Sequence, residues 1–251
     1  MDQNQTVLVI AAHPDDEVLG CGGTIARHAA IGDNVHILIM AEGITSRDDQ
    51  RSTNTRSDEL TELTETARRA GKYLGAESVE LLSFPDNRMD SVPLLDVVKE
   101  VEKRVDKIQP SVVYTHHIGD VNVDHQIVHK AVVTACRPMP WQCVKTLLFF
   151  EIASSTEWQP PIIGISFFPN WYENIGVSAV SVNFAKSADS ALSNVKTCLE
   201  KKLEALKIYK CEMRDFPHSR SVEALNCLAK WRGATVGVEA AEAFMLGRKI
   251  V

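Results

Sequence analysis

Several things are missing from this sequence, and each absence excludes something. Near the start the apolar run is short: Val7 to Ala12 stops at a histidine and three carboxylates. A membrane span needs about 20 apolar residues, and a secretory leader also needs a longer apolar stretch than this, so neither is expected. There is no basic block either. The chain has 27 Lys and Arg against 33 Asp and Glu, a formal net charge of -6 with the signs interspersed. Nothing here would track a phosphate backbone, so no nucleic-acid partner is expected. The cysteines, Cys21, Cys136, Cys143, Cys198, Cys211 and Cys227, lack paired metal spacing and read as reduced thiols of a cytoplasmic protein. Internal repeats, low-complexity tracts and linkers are also lacking. With 251 residues, 45% of them apolar, the chain is expected to form one domain over 1–251, in which 151–251 is a C-terminal extension completing the sheet and cleft.

What is present is an alternation of β-branched runs with helical patterns. Strands are expected at Val7 to Ala12, Val35 to Met40, Val79 to Leu82, Val112 to Thr115 and Thr146 to Phe150. Between them lie helices at Val18 to Ile31, Arg56 to Leu74, Leu94 to Ile108 and Ile127 to Cys136. This order predicts an α/β fold, a mainly parallel Rossmann-like sheet sandwiched by helices. Gly43 to Thr55 reads as a loop beside the site, and Trp158 to Tyr172 as an irregular excursion. A strand at Val177 to Val182, helices at Ala188 to Tyr209 and Ser221 to Arg232, and a short apolar finish complete the chain.

The chemistry concentrates at two strand ends. His13-Pro14-Asp15-Asp16-Glu17 follows the first strand and opens the first helix. Pro14 suits a first helical turn and the Asp residues suit capping, but an imidazole beside three carboxylates is costly unless a cation is held there. The second group, Asp120 to His129, follows the strand that ends near His116-His117. There His125 and His129 are four residues apart and share one helix face. Two imidazoles and a carboxylate suit zinc with one position left open, and zinc lowers the pKa of a bound water to about 7. The sites for a base, an oxyanion donor and an acid then fall to Asp15 and His125.

These segments, with Gly20-Cys21-Gly22-Gly23, Glu42 to Arg47, Pro85 to Arg88, Ser154 to Trp158 and Phe216 to Ser221, resemble the LmbE-like superfamily of PIG-L-type N-acetylglucosamine de-N-acetylases. The resemblance implies zinc held by His13, Asp16 and His129, with Asp15 as general base. It gives His125 the part of electrophilic stabiliser or acid, and makes Asp124 the orienter of His125. It further implies a Rossmann-like domain often assembled into homo-oligomers, and a small amino-sugar substrate of bacterial surface-glycan or glycoconjugate pathways. Aspartate in the ligand set also tolerates Fe2+, Mn2+ or Co2+.

The sequence departs from the family where many relatives carry an Arg three residues before a Glu on the second helix. Here that stretch is Glu62-Leu63-Thr64-Glu65, leaving Arg47 and Arg56 as alternative substrate clamps. Asp86 is a candidate for a sugar hydroxyl, set against ordinary turn chemistry. Trp158 could stack on a sugar ring or anchor its loop. His218 and Arg220 could reach an anionic part of the substrate or merely fasten a loop. His116 or His117 could support a ligand, while His28 and His36 read as structural.

Two other readings compete. One is an amidase of larger sugar-thiol conjugates using the same metal chemistry. The other is a dinucleotide-binding protein, suggested by Gly20 to Gly23 with Glu42 after the second strand. The glycines come too late for it, because the strand-to-helix turn is occupied by carboxylates that would repel a pyrophosphate.

Overall fold

The computed structural model describes residues 4–47, 55–161, 164–178 and 195–251, apart from the Arg47 side chain. The alternation becomes β1 (Thr6–Ala11), α1 (Asp16–Ile31), β2 (Asn34–Ala41), α2 (Ser57–Leu74), β3 (Ser78–Phe84), α3 (Leu94–Ile108), β4 (Val112–His116), α4 (Val123–Ala135) and β5 (Thr146–Phe150). Then come β6 (Trp171–Asn174), α5 (Cys198–Ile208), α6 (Val222–Ala234) and β7 (Ala241–Lys249). The sheet has seven strands in the order β3-β2-β1-β4-β5-β7-β6. Its first five strands are parallel, while β7 runs antiparallel to both β5 and β6. No described helix is long and apolar enough to cross a membrane.

Burial on both faces explains why β1, β2 and β4 read as unbroken apolar runs rather than alternating ones. One core layer joins the sheet to α1, α2, α5 and α6, the other to α3 and α4. The strand order reverses beside β1: the chain steps out through β2 and β3, then returns to place β4 on the other side of β1. Ligands bind α/β sheets at the carboxyl ends of strands flanking such a point, and His13 and His116 emerge there.

Three expectations need correction, and a fourth is tested only at its first two residues. Helix α4 starts at Val123 rather than Ile127, because the Asn122 side chain caps it by accepting from the backbone N–H groups of Asp124 and His125. Within the excursion expected to be irregular, Trp171 opens β6, which pairs with β7. Helix α5 starts at Cys198, where Thr197 and Glu200 form a reciprocal capping box; residues 188–194 of the expected helix lie outside the described residues. Of the strand expected at Val177 to Val182, Ser178 makes an isolated bridge with Thr197, and 179–182 lie outside the described residues.

The glycines of α1 serve packing. A Cβ on Gly20 would lie 2.5 Å from Phe150, and one on Gly23 would lie 2.9 Å from Ile175. Between them Cys21 leaves helical geometry at φ -148°, ψ 27°. The freed N–H groups of Gly23 and Thr24 donate to the Glu242 carboxylate from β7, at 3.0 and 2.6 Å. Lys202 of α5 completes the knot, its Nζ donating to Glu242 at 2.6 Å and to the Leu19 carbonyl at 2.7 Å. Both charged side chains are buried, and breaking such a pair from one side strands a charge in low dielectric. Lys202→Met is therefore expected to cost about 3 to 5 kcal/mol, read as a lowered denaturation midpoint at constant m-value. A loss under about 1 kcal/mol would show that the knot is not stabilising.

Candidate metal centre and active site

Among the described residues, two groups of three side chains bring donor atoms within 4.8 Å of one another: His13, Asp16 and His125, and His13, Asp86 and Asp124. Both lie at the mouth between β1 and β4. Asp16 sits at the centre of the first. Its Oδ2 accepts from the His13 backbone N–H at 2.9 Å, lies 3.2 Å from His13 Nδ1 and 3.1 Å from His125 Nε2. Its Oδ1 is buried without a hydrogen-bond partner.

Each imidazole is backed by a carboxylate on its far side. His13 Nε2 lies 3.0 Å from Asp124 Oδ2, and His125 Nδ1 lies 3.1 Å from Asp120 Oδ2. This is the carboxylate-imidazole arrangement that orients metal-binding histidines. Asp120 is itself held by the hydroxyls of Ser155 and Thr156 and by the Asn122 N–H. Asp124 accepts from the N–H groups of Asn87 and Met89 at 2.7 and 2.9 Å, tying the loop after β3 to the site.

The electrostatics agree with a cation-seeking site. Burial alone would lower the pKa of His125, but Asp16 and Asp120 outweigh it and push it to about 9. Burial would likewise lower His13, yet hydrogen bonds to Asp124 and Asp16 hold it well above the usual imidazole range. Burial opposes ionisation of Asp16, which the two imidazoles nevertheless keep well below the usual carboxylate range. Carboxylates outnumber imidazoles in this buried cluster, the condition a divalent ion relieves. Of the two groups, the first better fits a metal. Asp86 and Asp124 already accept backbone N–H groups, whereas Asp16 Oδ1 has unfilled capacity.

The other expected residues fall in different places. His129 is in neither group. It lies one turn beyond His125 on α4, about 6 Å further along the axis, where its Nδ1–H donates to the His116 carbonyl at 2.9 Å and its ring meets Phe149. The structure brings Asp124 to His13 rather than to His125, and the residue behind His125 is Asp120. His116 lies beside the first group: its Nε2 accepts from the Ala12 N–H at 2.8 Å, and its ring stacks on His125 at 3.9 Å.

Asp15 lines a cavity of about 210 Å³ together with His13, Asp86, Asn122, Glu212 and Arg220. At φ 108° it occupies a region non-glycine residues avoid. The Glu17 carboxylate holds it there, accepting the Asp15 N–H at 3.0 Å and the Tyr209 hydroxyl at 2.6 Å. Burial raises the Asp15 carboxyl well above the usual range, and the Arg220 guanidinium opposes that rise from 3.0 Å away. Arg220 also donates to Ser154 Oγ at 2.7 Å, so the structure engages it with the protein's own acid. Two larger hollows lie away from this cluster, one of about 940 Å³ along β3 and one of about 790 Å³ at the amino ends of β1, β4 and β5.

Of the remaining candidates, Asp86 reaches the cavity and accepts the Ser46 N–H at 2.9 Å. His218 and exposed Trp158 meet edge to face at 5.8 Å, and neither lines the cavity. Arg56 pairs with Glu59 at 2.9 Å and does not line it either. The side chain of Arg47 lies outside the described residues. Sequence reasoning placed Asp120 and Glu17 in the two clusters without giving either a role, and passed over Tyr209. Asp120 left one signal: its side chain caps the turn into Asn122, an Asx pattern just before a helix.

Asp120→Asn keeps size and removes the charge behind His125. It is expected to lower metal affinity or activity about 10- to 100-fold, measured as a metal-titrated rate curve. Unchanged binding and rate would mean that Asp120 only fastens its loop.

Comparison with known proteins agrees with the geometry. Residues 8–136 match the PIG-L family, described as GlcNAc-PI de-N-acetylase. An uncharacterized deacetylase of Escherichia coli K12, YaiS, is 30% identical over 189 residues, covering 73% of this chain and 89% of its own. A 1D-myo-inositol 2-acetamido-2-deoxy-alpha-D-glucopyranoside deacetylase of Mycolicibacterium vanbaalenii is 25% identical, covering 89% of this chain and 86% of its own. The N,N'-diacetylchitobiose deacetylase of Pyrococcus horikoshii superposes with a TM-score of 0.70 at 19% identity, covering 97% of this chain and 84% of its own. With the residues of the family motif gathered at one strand mouth, the chain belongs to the PIG-L (LmbE-like) family of deacetylases.

Proposed function

We propose that this protein holds a zinc ion through His13, Asp16 and His125 and removes the acetyl group from an N-acetylglucosamine-type amino sugar or a conjugate of it. The observation that carries the reading is the pair of imidazoles, each backed by a carboxylate and each facing Asp16, beside a cavity that also receives Asp15. The names of the relatives support the sugar. A zinc ion there supplies a Lewis acid and makes hydroxide accessible near neutral pH.

The chain's own residues do the rest. Asp15, its carboxyl raised by burial, takes a proton from water as the oxygen bonds to the acetyl carbon. It returns that proton to the nitrogen as the carbon-nitrogen bond breaks, releasing acetate and a free amine. Glu17 and Arg220 fix its backbone and its carboxylate. With His125 in the ligand set, the cations that line the cavity among the described residues are Arg214 and Arg220; Arg220 is engaged by Asp15, which leaves Arg214 for developing negative charge. The setting we infer is cytoplasmic biosynthesis of bacterial surface glycans or glycoconjugates.

The test is acetate and amine release by the metal-loaded protein from N-acetylglucosamine, its simple glycosides, and inositol- and nucleotide-linked forms. Release from at least one, stopped by a chelator and restored by zinc, is expected. No release from any of them would overturn the sugar assignment.

A further inference from the structure

The start of α1 is braced by one distant helix. Lys202 of α5 and Tyr209, which caps that helix, stand about two turns apart and so share a face. Lys202 donates to the Leu19 carbonyl, and the Tyr209 hydroxyl donates to Glu17 Oε1 at 2.6 Å. Both contacts fall ahead of the break at Cys21. The part Lys202 plays is accounted for by its pair with Glu242. Tyr209 is outside that pair, its side chain is fully buried, and it does not line the cavity.

Glu17 is the group that Tyr209 acts on. One carboxylate oxygen, Oε2, accepts the Asp15 N–H at 3.0 Å, and the other accepts the phenol. The Asp15 carbonyl accepts from the N–H groups of Val18 and Leu19 at 3.0 and 2.9 Å. Asp15 is thus gripped at both backbone polar groups, at φ 108° and ψ -29°, a conformation that persists only where its surroundings impose it. The carbonyl contacts come with any helix start. The N–H contact does not, because it needs the long Glu17 side chain to stay in one rotamer. A phenol on a packed ring supplies that restraint: an O–H bond to a carboxylate is short and strong, and the ring has no room to swing away.

We propose that Tyr209 is a positioning residue for the reaction: through Glu17 it holds the Asp15 backbone in the strained geometry that aims the Asp15 carboxylate into the cavity. The proposal rests on the deacetylase reading for the part that Asp15 plays.

Tyr209→Phe removes the hydroxyl and keeps the ring. In the metal-loaded protein kcat is expected to fall about 10- to 100-fold, with KM within about twofold and the metal retained. In an Asp15→Asn background the same substitution is expected to change kcat by less than about twofold, because the group it positions is gone. Equal losses in the two backgrounds, or a parental kcat in Tyr209→Phe, overturn the proposal. Leu206→Val is the control, a buried change on the same helix that leaves the hydroxyl in place. It is expected to lower the denaturation midpoint and not kcat; an equal loss of kcat would make general loosening the cause and overturn the proposal.

Amide hydrogen exchange gives a readout independent of turnover. Tyr209→Phe is expected to speed exchange of the Asp15 N–H at least about tenfold and to leave that of Leu19, which rests on the helix bond, within about twofold. Uniform loss of protection along α1, no change at Asp15, or a variant that does not fold overturns the proposal. Selective exchange at Asp15 with no acetate release by the parent protein keeps the brace and defeats the deacetylase reading. Acetate release with an unchanged Asp15 amide does the reverse.

Discussion

His125→Ala is expected to empty the metal centre, whereas His129→Ala is expected to keep it. The two residues are chemically alike and share a helix face, so the pair isolates position. His125 stands in the first turn of α4, with Nε2 3.1 Å from Asp16 and Nδ1 3.1 Å from Asp120. His129 is occupied by the His116 carbonyl, and burial brings its pKa down to about 4, as suits a neutral, packed imidazole. Losing one of three protein ligands removes far more than the 10- to 100-fold attached to a supporting residue. We expect His125→Ala to lose stoichiometric metal after dialysis and at least about 10³-fold in kcat/KM. His129→Ala should bind one metal per chain and stay within about 100-fold of the parent rate, as a supporting residue would. Metal analysis after dialysis decides it. Loss with His129→Ala and retention with His125→Ala would return the ligand set to His13, Asp16 and His129.

Asp15→Asn is expected to leave metal content and stability nearly intact while kcat falls about 10²- to 10⁴-fold. An amide keeps the size of the side chain and can still accept from Arg220 from the same backbone, but it cannot take a proton. The substitution removes a buried carboxylate that is costly to ionise and also takes the ion-pair partner from Arg220, two opposing changes, so stability should change little. Steady-state kinetics should show the loss in kcat with little change in KM, because the proton is needed only as bonds are made and broken. A variant with normal kcat would exclude Asp15 as the base. A variant that loses metal would make it a ligand.

The parts of this molecule legible in the sequence are those governed by local pattern. β-Branched runs buried on both faces announced β1, β2 and β4, an apolar Leu-Leu-Phe-Phe run announced β5, and amphipathic stretches announced α2 and α3. The motif His13 to Glu17 was legible because strand end, proline and carboxylates follow one another without a gap. The first turn of α4 was not, since Val123-Asp124-His125-Gln126 is polar and only its Asn122 cap marks the start. That one turn decides which histidine reaches the mouth. The short strand β6 was hidden among prolines and aromatics, because it depends on pairing with β7 rather than on its own propensity.

Long-range partners were out of reach for a simpler reason. Arg220 meets Asp15 across 205 residues, Tyr209 meets Glu17 across 192, and Asp124 meets His13 across 111. Nothing local in a sequence encodes which distant charge will neutralise a given one. The same limit explains why Asp124 was expected behind its neighbour His125 and is found behind His13.

The knot at Cys21 has a bearing on how the chain reaches this state. Its carboxylate, Glu242, lies 219 residues beyond Gly23, and its ammonium, Lys202, lies 183 beyond Leu19. A chain emerging from the ribosome makes His13, Asp16 and His125 well before either arrives, at about 5 to 20 residues per second. For several seconds the metal-seeking residues are out while the helix that carries Asp16 still lacks the cap for its second half. The last strand made is thus the one that locks the first helix.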